Sequence, residues 1–146
     1  MKKLLVAMLV GCVWLQTQAA ELNWGTDLPK ALAQAKTDKK MVLLNFTGSD
    51  WCGWCIKFDK DTLSTEKFAT FAKAHLELVT LDFPNSKPQG AELKAANAAL
   101  QKKYNVEGFP TFVLLDATGK EVWRQVGYLA GGPETFIAKL EKAVKP

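Results

Sequence analysis

The order of apolar and polar residues predicts an α/β chain. Residues 41–46 (Met-Val-Leu-Leu-Asn-Phe) form a nearly continuous apolar run, which is typical of a strand buried on both faces. Just before it, Leu28, Leu32 and Ala35 recur at helical spacing, and Asp27 is of a residue type that caps helix N-termini. The pattern therefore predicts a helix that leads into a buried strand.

The rest of the chain repeats this alternation of helical and extended patterns. Turn-forming residues at 84–90 and 118–119 separate the later elements. The predicted elements are helices over about 52–60, from about 65, over 91–104 and over 134–144, and strands over 76–83, 111–115 and 121–126. Strands and helices that alternate and close with a hairpin predict a central mixed β-sheet flanked by helices on both faces.

The N-terminal stretch has the pattern of a secretory signal peptide. Two lysines near the start precede an apolar run over residues 4–15, and small residues before Glu21 suit cleavage. The run is too short to span a bilayer comfortably. We therefore expect residues 1–20 to be a signal peptide and residues 21–146 to form one domain that is periplasmic or secreted. Stable membrane insertion after signal removal is not expected.

Cys12 offers an alternative reading of this leader. Residues 9–12 (Leu-Val-Gly-Cys) resemble the motif at which bacterial lipoproteins are cleaved and anchored. The residues after Cys12 continue the apolar segment instead of turning polar, so we favour soluble export. Either route delivers the domain to an oxidising compartment, where a pair of cysteines can cycle through a disulfide.

Composition and charge narrow the class of protein. The chain has 146 residues with 48% hydrophobic content, which fits one globular domain. The formal net charge is +4, and the lysines are scattered among acidic residues without a basic block, so nucleic-acid binding has no support. A glycine-rich phosphate-binding loop is also missing from the sequence, and we expect no nucleotide or flavin cofactor.

Cys52 and Cys55 are the candidate reactive residues. They follow the buried strand and open the next predicted helix. A helix N-terminus favours negative charge and lowers the pKa of a thiol there, and the thiolate is the form that attacks a disulfide. Cys55, one turn further on, is placed to attack the resulting mixed disulfide. The spacing therefore predicts a redox pair.

Other roles of a Cys-x-x-Cys pair have to be weighed beside this one. Structural zinc needs two further nitrogen or sulfur ligands, for which the sequence offers just Cys12 and His75, so we expect no metal. A purely structural disulfide would close a very short loop and would stabilise little. The alternative function is a copper-binding or metallochaperone protein that uses Cys52 and Cys55 as thiolate ligands. This alternative is disfavoured because no methionine or histidine lies near the pair in sequence.

Two motifs carry a resemblance to a known family. Residues 51–55 (Trp-Cys-Gly-Trp-Cys) after a hydrophobic strand resemble the active-site motif of the thioredoxin superfamily, and residues 108–111 (Gly-Phe-Pro-Thr) resemble its X-Pro-Thr signature. Within that superfamily, the chain resembles secreted bacterial thioredoxin-like proteins and the C-terminal thioredoxin-like domain of the periplasmic membrane disulfide reductase more than thioredoxin itself. The resemblance spans about residues 22–144 and implies a thioredoxin fold with a cis bond before Pro110.

The same resemblance implies an activity and a set of contacts. It implies a thiol–disulfide oxidoreductase without a bound cofactor, acting on thiols and disulfides of exported proteins together with an electron-donor or electron-acceptor redox protein. Similarity to the reductase domain favours reduction or isomerisation over oxidation. The candidate substrate-binding residues are Trp51, Gly53, Trp54, Phe109 and Pro110.

Asn45 is a departure from the family pattern. In thioredoxin the matching residue is a buried aspartate, thought to assist proton transfer to and from the second cysteine. An amide cannot ionise, so the resemblance implies that this relay is missing. Asp50 could substitute as a proton acceptor, but we prefer the expectation of a solvated loop acid.

Overall fold

The computed structural model describes residues 21–144. The predicted signal peptide and Cys12 lie outside the described residues. The elements in chain order are β1 (Trp24–Gly25), α1 (Leu28–Asp38), β2 (Met41–Thr47), α2 (Gly53–Phe58), a π-helical turn (Asp59–Leu63), α3 (Glu66–His75), β3 (Leu76–Asp82), α4 (Ala91–Lys103), β4 (Thr111–Leu115), β5 (Glu121–Val126) and α5 (Gly132–Val144). No helix among residues 21–144 is both long and apolar enough to cross a membrane.

The strands form one mixed sheet in the order β1-β3-β2-β4-β5. Strand β3 pairs in parallel with both β1 and β2, whereas β4 pairs antiparallel with β2 and β5. The predicted mixed sheet and its four longer strands are confirmed. The edge strand β1 was not predicted, because two residues are too few to show an alternating pattern.

Apolar side chains fill both faces of the sheet. Along β2 the side chains alternate, so that Val42, Leu44 and Phe46 pack beneath α1 and the end of α4, while Leu43 packs beneath α2, α3 and α5. The prediction of helices on both faces is therefore confirmed. The same alternation places Asn45 on the Leu43 side of the sheet, which is the side of α2.

Local capping explains where the helices begin. The carboxylate of Asp27 accepts a hydrogen bond from the Lys30 N–H over 3.0 Å at the start of α1, and the hydroxyl of Thr65 accepts one from the Phe68 N–H at the start of α3. The helix after the cysteine motif differs from the prediction. It is α-helical only to Phe58 and then widens into the π-helical turn, a local feature that periodicity does not reveal.

Candidate active site

The cysteine pair lies where β2 gives way to α2. The Cys52 N–H donates to the Gly48 carbonyl over 2.9 Å, which closes the loop between the two elements. Cys52 is the N-cap of α2, and its Sγ accepts the Cys55 N–H over 3.2 Å. The two cysteines form a disulfide with their Cα atoms 5.2 Å apart. An N-cap sulfur is therefore held against a backbone donor that can stabilise a thiolate once the disulfide is reduced.

The disulfide presents little surface to solvent. Cys52 is 7% exposed and Cys55 is 5% exposed, so both cysteines are buried apart from a small accessible area. Cys52 lies at the start of α2, and the next two residues, Gly53 and Trp54, are exposed. An incoming sulfur atom therefore has to approach along a path bordered by the neighbouring side chains.

Trp51 forms one border of this path. Its side chain is 46% exposed and meets the ring of Phe109 edge-on with 5.9 Å between centroids. Phe109 in turn stacks on Phe83 at 5.1 Å, and the Trp51 indole N–H donates to the Phe83 carbonyl over 2.7 Å. We call Trp51, Phe83 and Phe109 the first aromatic wall. The structure therefore brings together two of the residues predicted from sequence and adds Phe83.

Trp54 lies between the two cysteines in the sequence. It is 60% exposed, and its ring lies against that of Tyr128 with 5.2 Å between centroids. Tyr128 follows β5 in the chain and was not singled out from the sequence. We call Trp54 and Tyr128 the second aromatic wall.

Pro110 lies behind the first wall. The Phe109–Pro110 peptide bond is cis, and the side chain of Pro110 is buried. The Pro110 carbonyl accepts the Gly127 N–H over 2.8 Å, and the Thr111 hydroxyl donates to the Gly108 carbonyl over 2.7 Å. The Pro110 carbonyl is therefore already engaged inside the protein, whereas Phe109 is partly exposed.

The loop before the cysteines is tied to the end of β3 and to the loop after it at three consecutive residues. The Ser49 hydroxyl donates to the Asp82 carboxylate over 2.6 Å, and Trp51 binds the Phe83 carbonyl as described above. Between them, Asp50 accepts hydrogen bonds from the backbone N–H groups of residues 85, 86 and 87 over 2.7 to 2.9 Å. These bonds fix the position of the first aromatic wall relative to β3.

Asp50 therefore has a structural role. The backbone N–H groups of Asn85 and Ser86, followed by that of Lys87, hold the pKa of its carboxyl below the ordinary value. A lowered pKa makes this carboxylate a weaker base, and its hydrogen-bond partners are the backbone of residues 85–87 and not the cysteines. The preferred expectation of a solvated loop acid is also incomplete, because the half-exposed side chain anchors a neighbouring loop.

A cavity of about 340 Å³ lies behind the second cysteine. Cys55 lines it together with Asn45, whose side-chain oxygen is buried and has no hydrogen-bond partner among the described residues. Asp59 is the one carboxylate among the described residues that line this cavity. The structure thus places Asn45 beside the second cysteine, where the resemblance implies an ionisable residue in thioredoxin. The other lining residues are Trp24, Thr47, Ser49, Ile56 and Thr80.

The geometry defines a class of protein. Within residues 21–144, no cluster of three or more His, Cys, Asp or Glu side chains is arranged to hold a metal ion. A mixed sheet that carries a Cys-x-x-Cys disulfide at a helix N-terminus, beside an aromatic X-Pro loop, is the architecture of a thiol–disulfide oxidoreductase with a thioredoxin fold.

Comparison with known proteins agrees with this class. Residues 28–144 match the family described as Thioredoxin-like domain. The chain is 41% identical over 127 residues to the disulfide bond reductase DsbH of Chlamydia pneumoniae, covering 87% of this chain and 75% of DsbH. A solved structure of a DsbH oxidoreductase superposes with a TM-score of 0.81 at 39% identity, covering 92% of this chain and 94% of that one. The chain belongs to the thioredoxin-like domain family.

Similarity also extends to a larger protein. Over 96 residues the chain is 38% identical to the thiol:disulfide interchange protein DsbD of Cronobacter sakazakii, covering 66% of this chain. The chain spans just 15% of the length of that DsbD. The resemblance to the thioredoxin superfamily and to the reductase, stated from the motifs, is therefore confirmed.

Proposed function

We propose that this protein reduces disulfide bonds in exported proteins, with Cys52 as the attacking residue and Cys55 as the resolving residue. In the reduced protein, the Cys52 thiolate attacks one sulfur of a substrate disulfide. The substrate S–S bond breaks, a mixed disulfide forms, and the first substrate sulfur leaves as a thiolate that takes up a proton. Cys55 then loses its proton and attacks the Cys52 sulfur, which releases the second substrate thiolate. Two electrons pass from the protein dithiol to the substrate.

The product of this cycle is the Cys52–Cys55 disulfide, which is the form that the structure holds. Its return to the dithiol form requires a reduced dithiol protein as electron donor. Two observations support reduction over oxidation: the name of the similar DsbH, a disulfide bond reductase, and the similarity to DsbD. Both comparisons concern the relatives, and the direction of electron flow in this chain is part of the proposal.

The observation that supports a polypeptide as the substrate is the placement of exposed apolar side chains. Among the described residues, the large hydrophobic side chains that remain exposed concentrate at the cysteine pair. Three of these five residues, Trp51, Trp54 and Ile56, are within or next to the motif. Val126 pairs with Thr111 beside Pro110, and the fifth, Val122, lies at the other end of β5. Exposed apolar patches of this kind mark surfaces that bind other polypeptides.

The substrate chain is proposed to lie between the two aromatic walls. Trp51 and Trp54 contact its side chains, and Gly53 leaves room for its backbone, because a Cβ built at Gly53 meets no atom of residues 21–144 within 4 Å. Phe109 offers its backbone to an extended segment in the manner of strand addition. Pro110 contributes from beneath, through the loop that holds Phe109.

The proposal includes the place of action. Residues 1–20 direct export and are removed, and residues 21–146 act as one thioredoxin-like domain in the periplasm or as a secreted protein. The pattern of lysines, apolar run and small residues supports this assignment.

Trapping of mixed disulfides tests the proposal. We expect Cys55→Ser, expressed with its leader, to accumulate disulfide-linked complexes with exported proteins, because the resolving step is lost. The double variant Cys52→Ser, Cys55→Ser is the matched control and should trap none. Recovery of complexes in the double variant, or none with Cys55→Ser, would contradict the roles given to the two cysteines.

Equilibration of the purified protein with glutathione tests direction. A reductase should have a reduction potential nearer to that of thioredoxin, about −270 mV, than to that of the oxidant DsbA, about −120 mV. A value near −120 mV would overturn the reductive direction while leaving the exchange chemistry intact. Copper titration of the reduced protein separates the metallochaperone alternative, since tight one-to-one binding of Cu(I) without disulfide exchange would favour it.

A further inference from the structure

The Trp54 side chain is exposed, but a contact with Tyr128 restricts its position. Its ring is tilted 41° against the Tyr128 ring with 5.2 Å between centroids, a separation at which aromatic pairs attract each other. Tyr128 comes from the segment after β5 and is half-buried. The Trp54 ring is therefore supported on one face by a residue far along the chain.

Tyr128 is itself fixed from beneath. Its hydroxyl lies 3.1 Å from Oδ2 of Asp61, to which it donates, and its ring meets Phe58 edge-on at 5.9 Å. The Lys57 ammonium pairs with the same Asp61 oxygen over 2.5 Å and lies 5.4 Å from the centre of the Tyr128 ring. Tyr128 is therefore held by a hydrogen bond, a cation–π contact and an aromatic contact at once.

The charges in this group persist across neutral pH. Hydrogen bonds from Lys57 and then from Tyr128 lower the pKa of the Asp61 carboxyl, and the hydrogen bond with Asp61 raises the pKa of Lys57. Lys57 and Asp61 are both at the surface, where an ion pair adds little to the free energy of unfolding. Their pairing therefore matters mainly because it fixes the carboxylate that binds the Tyr128 hydroxyl. The acceptor that orients the Tyr128 hydroxyl stays ionised wherever the protein would act.

We propose that Tyr128 is a positioning residue that holds Trp54 in the orientation that contacts the substrate chain, and that it thereby favours polypeptide disulfides over small ones. This inference rests on the proposed function and deepens it. An exposed tryptophan without such support has to lose its rotamer freedom when substrate binds, and that loss weakens binding. A small disulfide reaches the Cys52 sulfur without contacting Trp54, so it gains nothing from the support.

The two aromatic walls have separate supports. Trp51 is held by the Phe83 carbonyl and by Phe109, whereas Trp54 is held by Tyr128. Of the two tryptophans, loss of Tyr128 should therefore affect Trp54 and leave Trp51 in place. This makes the coupling between Tyr128 and Trp54 measurable by a double-mutant cycle.

The experiment compares Tyr128→Ala, Trp54→Ala and the double variant in the reduction of insulin and of the small aromatic disulfide DTNB. We expect Tyr128→Ala to raise KM for insulin by about three- to tenfold, the cost of ordering one freed side chain, with a smaller change in kcat. The ratio of kcat/KM for insulin to that for DTNB should fall by a similar factor. In the Trp54→Ala background, removal of Tyr128 should change this ratio by less than twofold.

A conservative pair of variants covers the case in which Tyr128→Ala does not fold. Tyr128→Phe keeps the ring and removes just the hydrogen bond to Asp61, so a smaller loss of the same kind is expected. Tyr104→Phe is its matched control, because Tyr104 packs against Phe46 on the other face of the sheet and its hydroxyl donates to the Gly119 carbonyl over 3.5 Å, far from Trp54 in the sequence. Tyr104→Phe should leave the ratio unchanged.

A spectroscopic measurement reads the positioning directly. The indole N–H resonance of Trp54, assigned from its absence in Trp54→Ala, should move in Tyr128→Ala because the neighbouring ring current is lost. An unmoved resonance, or insulin kinetics in which the two single effects multiply, would overturn the inference. If the wild-type protein reduces no insulin, the proposed function fails instead, and the resonance alone decides whether Tyr128 positions Trp54.

Discussion

The Trp51 indole N–H donates to the Phe83 carbonyl oxygen over 2.7 Å, which ties the residue before the cysteine pair to the loop after β3. The orientation of the Trp51 ring also depends on the absence of a side chain at Gly48. A Cβ at Gly48 would overlap the Trp51 indole ring, so the ring lies where any side chain at position 48 would be. The first aromatic wall is thus set by a glycine on one side and a backbone carbonyl on the other.

Gly48→Ala is therefore expected to displace Trp51. The added methyl group meets a rigid ring, and either the ring or the loop must move, at a cost of about 1–3 kcal/mol in the free energy of unfolding. The Trp51 hydrogen bond should weaken, and kcat/KM for insulin reduction should fall. Gly90→Ala, where a Cβ has open space, controls for loss of glycine flexibility. Unchanged unfolding and activity in Gly48→Ala would show that Trp51 is not held in this way.

Gly53→Ala is expected to separate substrate contact from stability. Gly53 is the first residue of α2, and a Cβ there has nothing within 4 Å. Alanine is the better helix former by up to about 1 kcal/mol, so urea unfolding should show equal or slightly higher stability. We expect kcat/KM for insulin to fall, since the methyl group occupies the proposed path of the substrate backbone. If both quantities hold at the wild-type value, Gly53 is not a substrate contact.

Asp50→Asn is expected to destabilise the protein in a pH-dependent manner. The pKa of Asp50 is lower when folded than when unfolded because of its three backbone N–H donors. Its contribution to stability is therefore present above the unfolded pKa of about 3.9 and is lost as the pH falls through the folded pKa. The difference in Tm between wild type and Asp50→Asn should stay constant from about pH 8 to pH 5 and shrink below about pH 4.

The matched control for this titration is Glu107→Gln, which removes one exposed carboxylate elsewhere. A wild-type minus Asp50→Asn difference that persists undiminished at pH 3 would mean that the ionised carboxylate does not hold the loop. The same outcome would remove the reason for assigning Asp50 a structural role.

Local patterns predicted the parts of this protein that depend on neighbours in sequence. The Asp27 cap, the buried strand β2 and the position of Cys52 at a helix start follow from residues within a few positions of one another. Residues that act across the fold were missed. Tyr128 meets Asp61 across 67 positions, and Phe83 meets Trp51 across 32, so no periodicity in the sequence could connect them.

Asp50 shows the same limit for a residue that the sequence did single out. Its residue type and loop position suggested either a solvated acid or a proton acceptor. Its hydrogen-bond partners are instead backbone N–H groups 35 to 37 positions away. Backbone donors are present at almost every residue and leave no trace in the sequence. The role of a lone acidic residue is therefore decided by topology.

Asn45→Asp is expected to be tolerated best at low pH. Asn45 is 9% exposed and its side-chain oxygen has no partner among the described residues. Burial disfavours the charged form, so the pKa of the new carboxyl should be raised above the unfolded value. The stability of the variant relative to wild type should then be greatest below about pH 4 and fall as the pH rises through the raised pKa. Thermal unfolding of the oxidised protein from pH 4 to 8 measures this.

The same substitution should change how fast Cys55 resolves a mixed disulfide. Once ionised, a carboxylate at position 45 can take the Cys55 proton within the cavity that both residues line, and general-base assistance is worth about 100-fold in rate at its lower end. Decay of a mixed disulfide between Cys52 and a small thiol should therefore be faster in Asn45→Asp than in wild type at pH 8. Asn97→Asp is the matched control, because Asn97 in α4 is also buried with an oxygen that has no partner within residues 21–144, but its amide N–H donates to the Asp82 carbonyl. A decay rate equal to that of wild type, or an acceleration shared with Asn97→Asp, would show that the residue at position 45 takes no part in proton transfer.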